Sequence, residues 1–206
     1  HIEGMIYFTE KASVGLNGEQ TSPIGGGLVI CSAGNDGLDQ IRYPGGYPQC
    51  VSTGWMSPDY TKHSKSNYGT WVDITAPGGN TSSSFSSGKK GGVYSTIVWD
   101  SPNSTVRGYG SKQGTLMATP HVAGIAALII SKHGVGRQGL TAEQVKTRLL
   151  NTVRVSDLYN YNATFLGKMG VGLVDAYAAV ADITPPEKPS TGTTWNSNNI
   201  RVRITI

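Results

Sequence analysis

The chain has 206 residues, 15% of them charged, with 28 glycines and a net charge of +4. That is long enough for one domain with a core, and the composition excludes a disordered or collagen-like chain. Lysines and arginines are scattered, with Lys89-Lys90 the only notable doublet outside the helix ends, which excludes a nucleic-acid-binding stripe.

Residues 1–4 read as the remnant of a cleavable tag, and residues 5–12 as the end of an amphipathic helix. A glycine-rich connection over 13–26 leads to Gly27-Leu28-Val29-Ile30-Cys31, an unbroken apolar run expected of a buried parallel strand. It ends in Ser32-Ala33-Gly34-Asn35, and small residues followed by an Asn at a strand end suit the edge of a site in an α/β protein. Tyr43-Pro44-Gly45-Gly46-Tyr47-Pro48 is a rigid turn segment before a second short strand, residues 50–54. The two cysteines, Cys31 and Cys50, fall in these strands. Buried free thiols are the favoured reading, and a disulfide requires that the two strands be neighbours.

Residues 79–92 read as an exposed Ser/Gly-rich loop, 93–96 as a short strand, and 99–112 as polar loop. Further on, Thr141-Ala142-Glu143-Gln144 is a capping box, and Val145, Leu149, Leu150 and Val153 follow at helical spacing. Gly170-Val171-Gly172 opens a last helix and lacks the βα context of a nucleotide-binding loop. Residues 183–189 read as a linker, and the alternating residues 199–206 as the first strand of a further β module. Sequons at Asn80, Asn103 and Asn162 are expected by chance in a chain of this composition.

The chain is organised around Gln113-Gly114-Thr115-Leu116-Met117-Ala118-Thr119-Pro120-His121-Val122-Ala123-Gly124 and the apolar run that follows. Residues 117–130 are apolar or small apart from Thr119 and His121, so the sequence predicts a helix buried between layers. The run falls short of a membrane span. Pro120 is expected within the first turn, and Gly134 stops the helix. The N-terminus of such a helix offers free N–H groups and a positive dipole end, which suit a developing negative charge.

This stretch resembles the G-T-S-M-A-x-P-H-V-A-G signature of subtilisin-like serine peptidases, with Leu116 where the family has its catalytic serine. Gly114, Thr115, Met117, Ala118, Pro120 and His121 match the motif. The resemblance extends to the A-G-N segment, the Y-P-x-x-Y-P segment, Ser66-Asn67-Tyr68-Gly69, the V-D-x-x-A-P-G block at 72–78, and the G-x-G-x-x-[ND]-A block at 170–176. It implies an α/β fold, part of a three-layer arrangement with a parallel sheet flanked by helices. It implies an oxyanion-hole role for Asn35 and a substrate-pocket wall at Ser32, Ala33 and Gly34. Residues 5–183 would then be the C-terminal half of a subtilase catalytic domain.

Acyl transfer by this family needs a serine nucleophile, a histidine base and an orienting aspartate. The D-[ST]-G and H-G-T motifs that carry the last two do not occur in these 206 residues. His63, His121 and His133 are better explained as structural or solvated than as the base. The parent is therefore expected to be a serine endopeptidase, and this chain an inactive portion. The alternative is a non-catalytic scaffold that binds a protein partner through the old cleft. No cofactor is required. The family's weak structural cation would sit on backbone carbonyls, and no carboxylate cluster supports a calcium site. The expected partners are a peptide or protein substrate in the parent, and either a second copy or the N-terminal half of the domain. The resemblance places the protein outside the cell or on its surface, in bacteria.

Overall fold

The computed structural model describes residues 2–84, 90–98, 107–134 and 139–181. The expected linker and final strand, 183–206, lie outside the described residues. So do Lys89, Asn103 and part of each expected loop.

Helix α1 (Ile2–Lys11) buries none of its residues and runs through the positions set aside as a tag remnant. The central sheet is parallel, in the order β2 (Val29–Ser32), β3 (Cys50–Met56), β4 (Ile74–Pro77). All seven residues of β3 are buried, as befits a middle strand covered on both faces. β2 pairs with β3 through Val29–Cys50 to Ser32–Thr53, and β3 with β4 through Thr53–Ile74 to Met56–Pro77. Asp73, just before β4, accepts from the Ser52 N–H at 2.7 Å and so pins the start of β4 to β3. Burial raises the Asp73 pKa above 3.8, against the lowering effect of that bond.

Helix α2 (Thr115–His133) lies across the sheet and contacts all three strands, α3 (Ala142–Asn151) and α5 (Ala176–Val180). Val51, Trp55, Ile74 and Ala76 of the sheet meet Ala118, Val122, Ile125 and Ile129 of α2 in the main core. On the second face, Met56 packs with Leu158 of α4 (Val155–Tyr159) and with Met169 and Leu173. This is the layering of helices on a parallel sheet that the resemblance implies.

α2 differs from its expectation in three respects. Only one of its faces is buried: Thr115, Ala118, Val122, Ile125, Ala126 and Ile129 point at the sheet, while Leu116, Ala123, Gly124, Ala127 and Leu128 are exposed. The three-stranded sheet reaches one side of the helix only, so an all-apolar sequence leaves an apolar face open. Pro120 is the sixth helical residue, one turn later than expected, and it denies the Leu116 carbonyl its helical N–H partner. At 19 residues α2 is long and apolar enough to cross a membrane, against the expectation from the shorter run. Its packing on the sheet gives it the role of a core helix. The stop at Gly134 stands, with its N–H donating to the Ile130 carbonyl at 2.8 Å.

Two loop expectations are corrected. β5 (Asn80–Ser84) pairs antiparallel with β6 (Lys90–Gly91), inside the segment read as an exposed loop. β7 (Val93–Val98) pairs antiparallel with β8 (Arg107–Lys112), inside the stretch read as polar loop. Stacking of Tyr94 on Tyr109, at 5.9 Å between ring centroids, supports this hairpin. A short parallel pair joins β1 (Ile24–Gly25) to β9 (Leu140–Thr141). The capping box forms as expected: Thr141 Oγ1 accepts from the Gln144 N–H, and Gln144 Oε1 accepts from the Thr141 N–H. Asp175 caps α5 through the Ala178 N–H at 3.0 Å, so the glycine block before it opens a helix.

Candidate active-site remnant

Leu116 is the second residue of α2, so its N–H is one of the first four that lack an acceptor within the helix. Gly114, immediately before, has φ 141°, a conformation that disfavours any side chain. A Cβ there would also lie 3.4 Å from Asn35 Nδ2. The Met117 and Ala118 N–H groups both turn back to the Gly114 carbonyl, at 3.0 and 3.2 Å. The Leu116 side chain is 61% exposed. It lines a cleft of about 380 Å³ between the β7–β8 hairpin and the start of α2, with Tyr94, Thr96, Lys112, Met117 and His121.

Asn35 reaches this helix start from the end of β2. Its Oδ1 accepts from the Thr115 N–H at 3.0 Å and from the Thr115 hydroxyl at 2.8 Å. A backbone N–H can only donate, so it is the carbonyl end of the amide that Thr115 holds. The structure thus brings Asn35, Gly114, Thr115 and Leu116 together, and Met117 and His121 join Leu116 in the cleft. Ala118 is buried against the sheet, and Pro120 is exposed on the cleft side.

Ser32, Ala33 and Gly34 lead into Asn35, and Asn67 fixes their course. This buried side chain accepts from the Asp36 and Leu38 N–H groups, both at 3.0 Å, and donates to the Ala33 carbonyl at 3.0 Å. Gly34 has φ 98°, and a Cβ on it would stand 2.6 Å from Asn67 Nδ2. Asn67 is the positioning residue that sequence reasoning passed over. Its signal was the S-N-x-G block, read only as structural.

The histidines take structural or peripheral places. His63 is buried, stacked on Trp55 at 3.7 Å between centroids, and its Nδ1 accepts from the Lys65 N–H. Burial, helped by the Lys65 and Lys62 charges, pushes its pKa below 6.5. His121 is exposed and sits 2.8 Å from the Met117 carbonyl through Nδ1, within the helix rather than at a turn. Among the described residues no group of three His, Cys, Asp or Glu side chains is placed to hold a metal ion. The Lys62 ammonium donates to the Ser66 and His63 carbonyls at 2.8 and 3.1 Å, over the rings of Tyr68 and Phe165. Burial lowers the Lys62 pKa.

Taken together, the site offers a helix N-terminus and an oriented carboxamide, with an aliphatic side chain between them. Comparison with known proteins agrees with the resemblance. The family model described as "Subtilase family" matches residues 10–177. Subtilisin BL of Lederbergia lenta is 36% identical over 157 residues, covering 75% of this chain and 46% of that protein. The "Extracellular basic protease" of Dichelobacter nodosus is 35% identical over 156 residues, covering 75% of this chain and 23% of its own length. A solved protease of Pseudoalteromonas arctica superimposes with a TM-score of 0.60 at 34% identity, covering 74% of this chain and 42% of that one. The chain therefore spans less than half the length of each of these relatives. With the family model matched from residue 10 to residue 177, this chain belongs to the subtilase family of subtilisin-like serine peptidases.

Proposed function

We propose that the parent protein is a subtilisin-like serine endopeptidase that cleaves peptide bonds through an acyl-enzyme, and that this chain is an inactive C-terminal half of its catalytic domain. The observation that carries the reading is the Asn35–Thr115 pair beside the N-terminus of α2. Asn35 Nδ2 and the Leu116 N–H are the two oxyanion donors, and Ser32, Ala33 and Gly34 wall the pocket for the residue before the scissile bond. Leu116 provides no nucleophile, and the 206 residues contain neither a D-[ST]-G nor an H-G-T motif. The substrate is a peptide or protein, and the site of action is outside the cell, in line with the printed name of the Dichelobacter relative.

A second reading is favoured by one observation. Leu116 is 61% exposed inside the cleft, where an aliphatic side chain suits a binding surface better than a catalytic one. In that reading the protein is a non-catalytic subtilase scaffold for a protein partner. The test is hydrolysis of casein or a fluorogenic peptide by the full-length parent, with Leu116 as found and as Leu116→Ser. Activity with serine only supports the disabled peptidase. No activity from either well-folded form supports the scaffold.

Association completes the fold in this proposal. Among the described residues β2 pairs on one side only, and the face of α2 bearing Ala123, Ala127 and Leu128 is exposed. An unpaired strand edge beside an apolar face favours pairing with a second copy or with the N-terminal half of the domain. A monodisperse monomer at all concentrations, together with failure to bind that half, would count against it.

A further inference from the structure

The two cysteines stand on adjacent parallel strands. Val29 of β2 is the register partner of Cys50 on β3, so Cys31, two residues on, projects from the same face of the sheet as Cys50. The thiols are free, and their Sγ atoms are 3.1 Å apart. A disulfide bond is about 2.05 Å long, so closure requires the sulfurs to move by only about 1 Å. Met5 of α1 sets its thioether sulfur 3.7 Å from Cys50 Sγ. Cys50 is buried and Cys31 half-buried, so an oxidant approaches from Cys31.

We propose that Cys31 and Cys50 are a modification site, closed into an intramolecular disulfide by a small disulfide oxidant such as oxidised glutathione. The Cys31 thiolate attacks one sulfur of the oxidant, forming a mixed disulfide and releasing one thiolate. The Cys50 thiolate then attacks Cys31 Sγ and expels the second. Two cysteine protons pass to solvent, the two cysteines are oxidised, and one oxidant disulfide is reduced to two thiols. The Cys50 thiol is held up at about 12 by burial, by its hydrogen bond with Cys31 and by the neighbouring Cys31 charge. In the mixed disulfide the two Cys31 contributions are gone and burial remains as the largest cause, so the resolving step at Cys50 is the slower one.

The consequence lies in what the bond encloses. Cys31 and Cys50 are 19 positions apart, and the segment between them carries Ser32, Ala33, Gly34, Asn35 and the Tyr43–Pro48 turn. Closure ties the edge strand to the middle strand immediately before the oxyanion Asn. It also limits the unfolded chain in the segment that forms the pocket wall.

The experiment treats the native chain with oxidised glutathione, followed by intact mass, non-reducing peptide mapping and thermal unfolding. The expected result is loss of two hydrogen atoms, a single peptide linking Cys31 to Cys50 in a monomer, and a Tm raised by roughly 6–12 °C. Dithiothreitol should reverse both. In Cys50→Ser the reaction should stop as a glutathione adduct on Cys31, and in Cys31→Ser the remaining thiol should stay unmodified. Three outcomes overturn the proposal: both thiols persist natively while the urea-unfolded chain oxidises, a glutathione adduct accumulates in the unmutated chain, or cross-linking is intermolecular.

Discussion

Thr115 holds Asn35 through a single oxygen, which accepts both the backbone N–H and the hydroxyl of the threonine. The threonine thereby decides which end of the amide faces the helix start. Thr115→Val removes one of the two bonds and should destabilise the chain by about 1 kcal/mol in urea unfolding. In a full-length parent carrying Leu116→Ser, Asn35→Ala should lower kcat by about 10²–10³ with little change in KM. Unchanged kcat in that variant would remove Asn35 from the oxyanion role.

The Asn67 side chain makes three hydrogen bonds of 3.0 Å to the 33–38 loop from a buried position. Asn67→Ala leaves the Asp36 and Leu38 N–H groups and the Ala33 carbonyl without their partner. The expected cost is roughly 2–4 kcal/mol, read as a lower urea midpoint with faster hydrogen exchange at 33–38. A loss below 0.5 kcal/mol would show that the loop holds its course without it.

His63 gives the fold a pH dependence. Its folded pKa lies below the 6.5 of the unfolded chain, so the unfolded chain takes up its proton first as pH falls. The His63 contribution is complete above pH 6.5 and is lost as pH drops from 6.5 towards the folded value. His63→Phe, which keeps a ring on Trp55, should flatten this slope between pH 7 and 5.5. Asp73 acts in the opposite sense at lower pH. Its folded pKa lies above 3.8, so its contribution is present below 3.8 and lost as pH rises through the folded value. Urea midpoints from pH 3 to 8 check both.

Lys62 neutralises two inward carbonyls, those of His63 and Ser66. Lys62→Met keeps the apolar stem between Tyr68 and Phe165 and removes the charged donor. The expected loss is about 1–3 kcal/mol by urea unfolding. No loss would show that water serves those carbonyls equally well.

Leu128 is half exposed on the open face of α2. Leu128→Lys should leave the stability of a monomer within about 0.5 kcal/mol, because the lysine stem can keep the packing of a half-exposed leucine while its ammonium reaches solvent. If this face is the association surface, sedimentation should show the variant shifted to monomer. An unchanged distribution would place association elsewhere.

The sequence was most legible where one physical signal acted alone. The apolar run at 27–31 marked β2, although that strand is half-buried rather than buried, the Thr141–Gln144 pair marked the start of α3, and Gly134 marked the end of α2. It was least legible where partners are far apart in sequence. β8, Arg-Gly-Tyr-Gly-Ser-Lys, carries two glycines and no β-branched residue, and only its pairing with β7 makes it a strand. Asn67 acts on residues about 30 positions away, and no local pattern announces that. The open face of α2 escaped the sequence for a related reason. Periodicity reports how apolar a helix is all round, and says nothing about how many sides are covered.

The position of Leu116 separates shape from chemistry. Its exposed side chain lines the cleft, while its backbone is set by Gly114 behind it and by Thr115 and Asn35 beside it. Exchanging that side chain leaves the surrounding frame standing. A molecule selected to fit the walls of this cleft, such as an antibody or a peptide-mimicking inhibitor, would keep its contacts with Tyr94, Thr96 and Lys112 on exchange of leucine for serine and change only those at residue 116. Under the proposed reading, part of the recognition surface would therefore outlast the loss of the nucleophile.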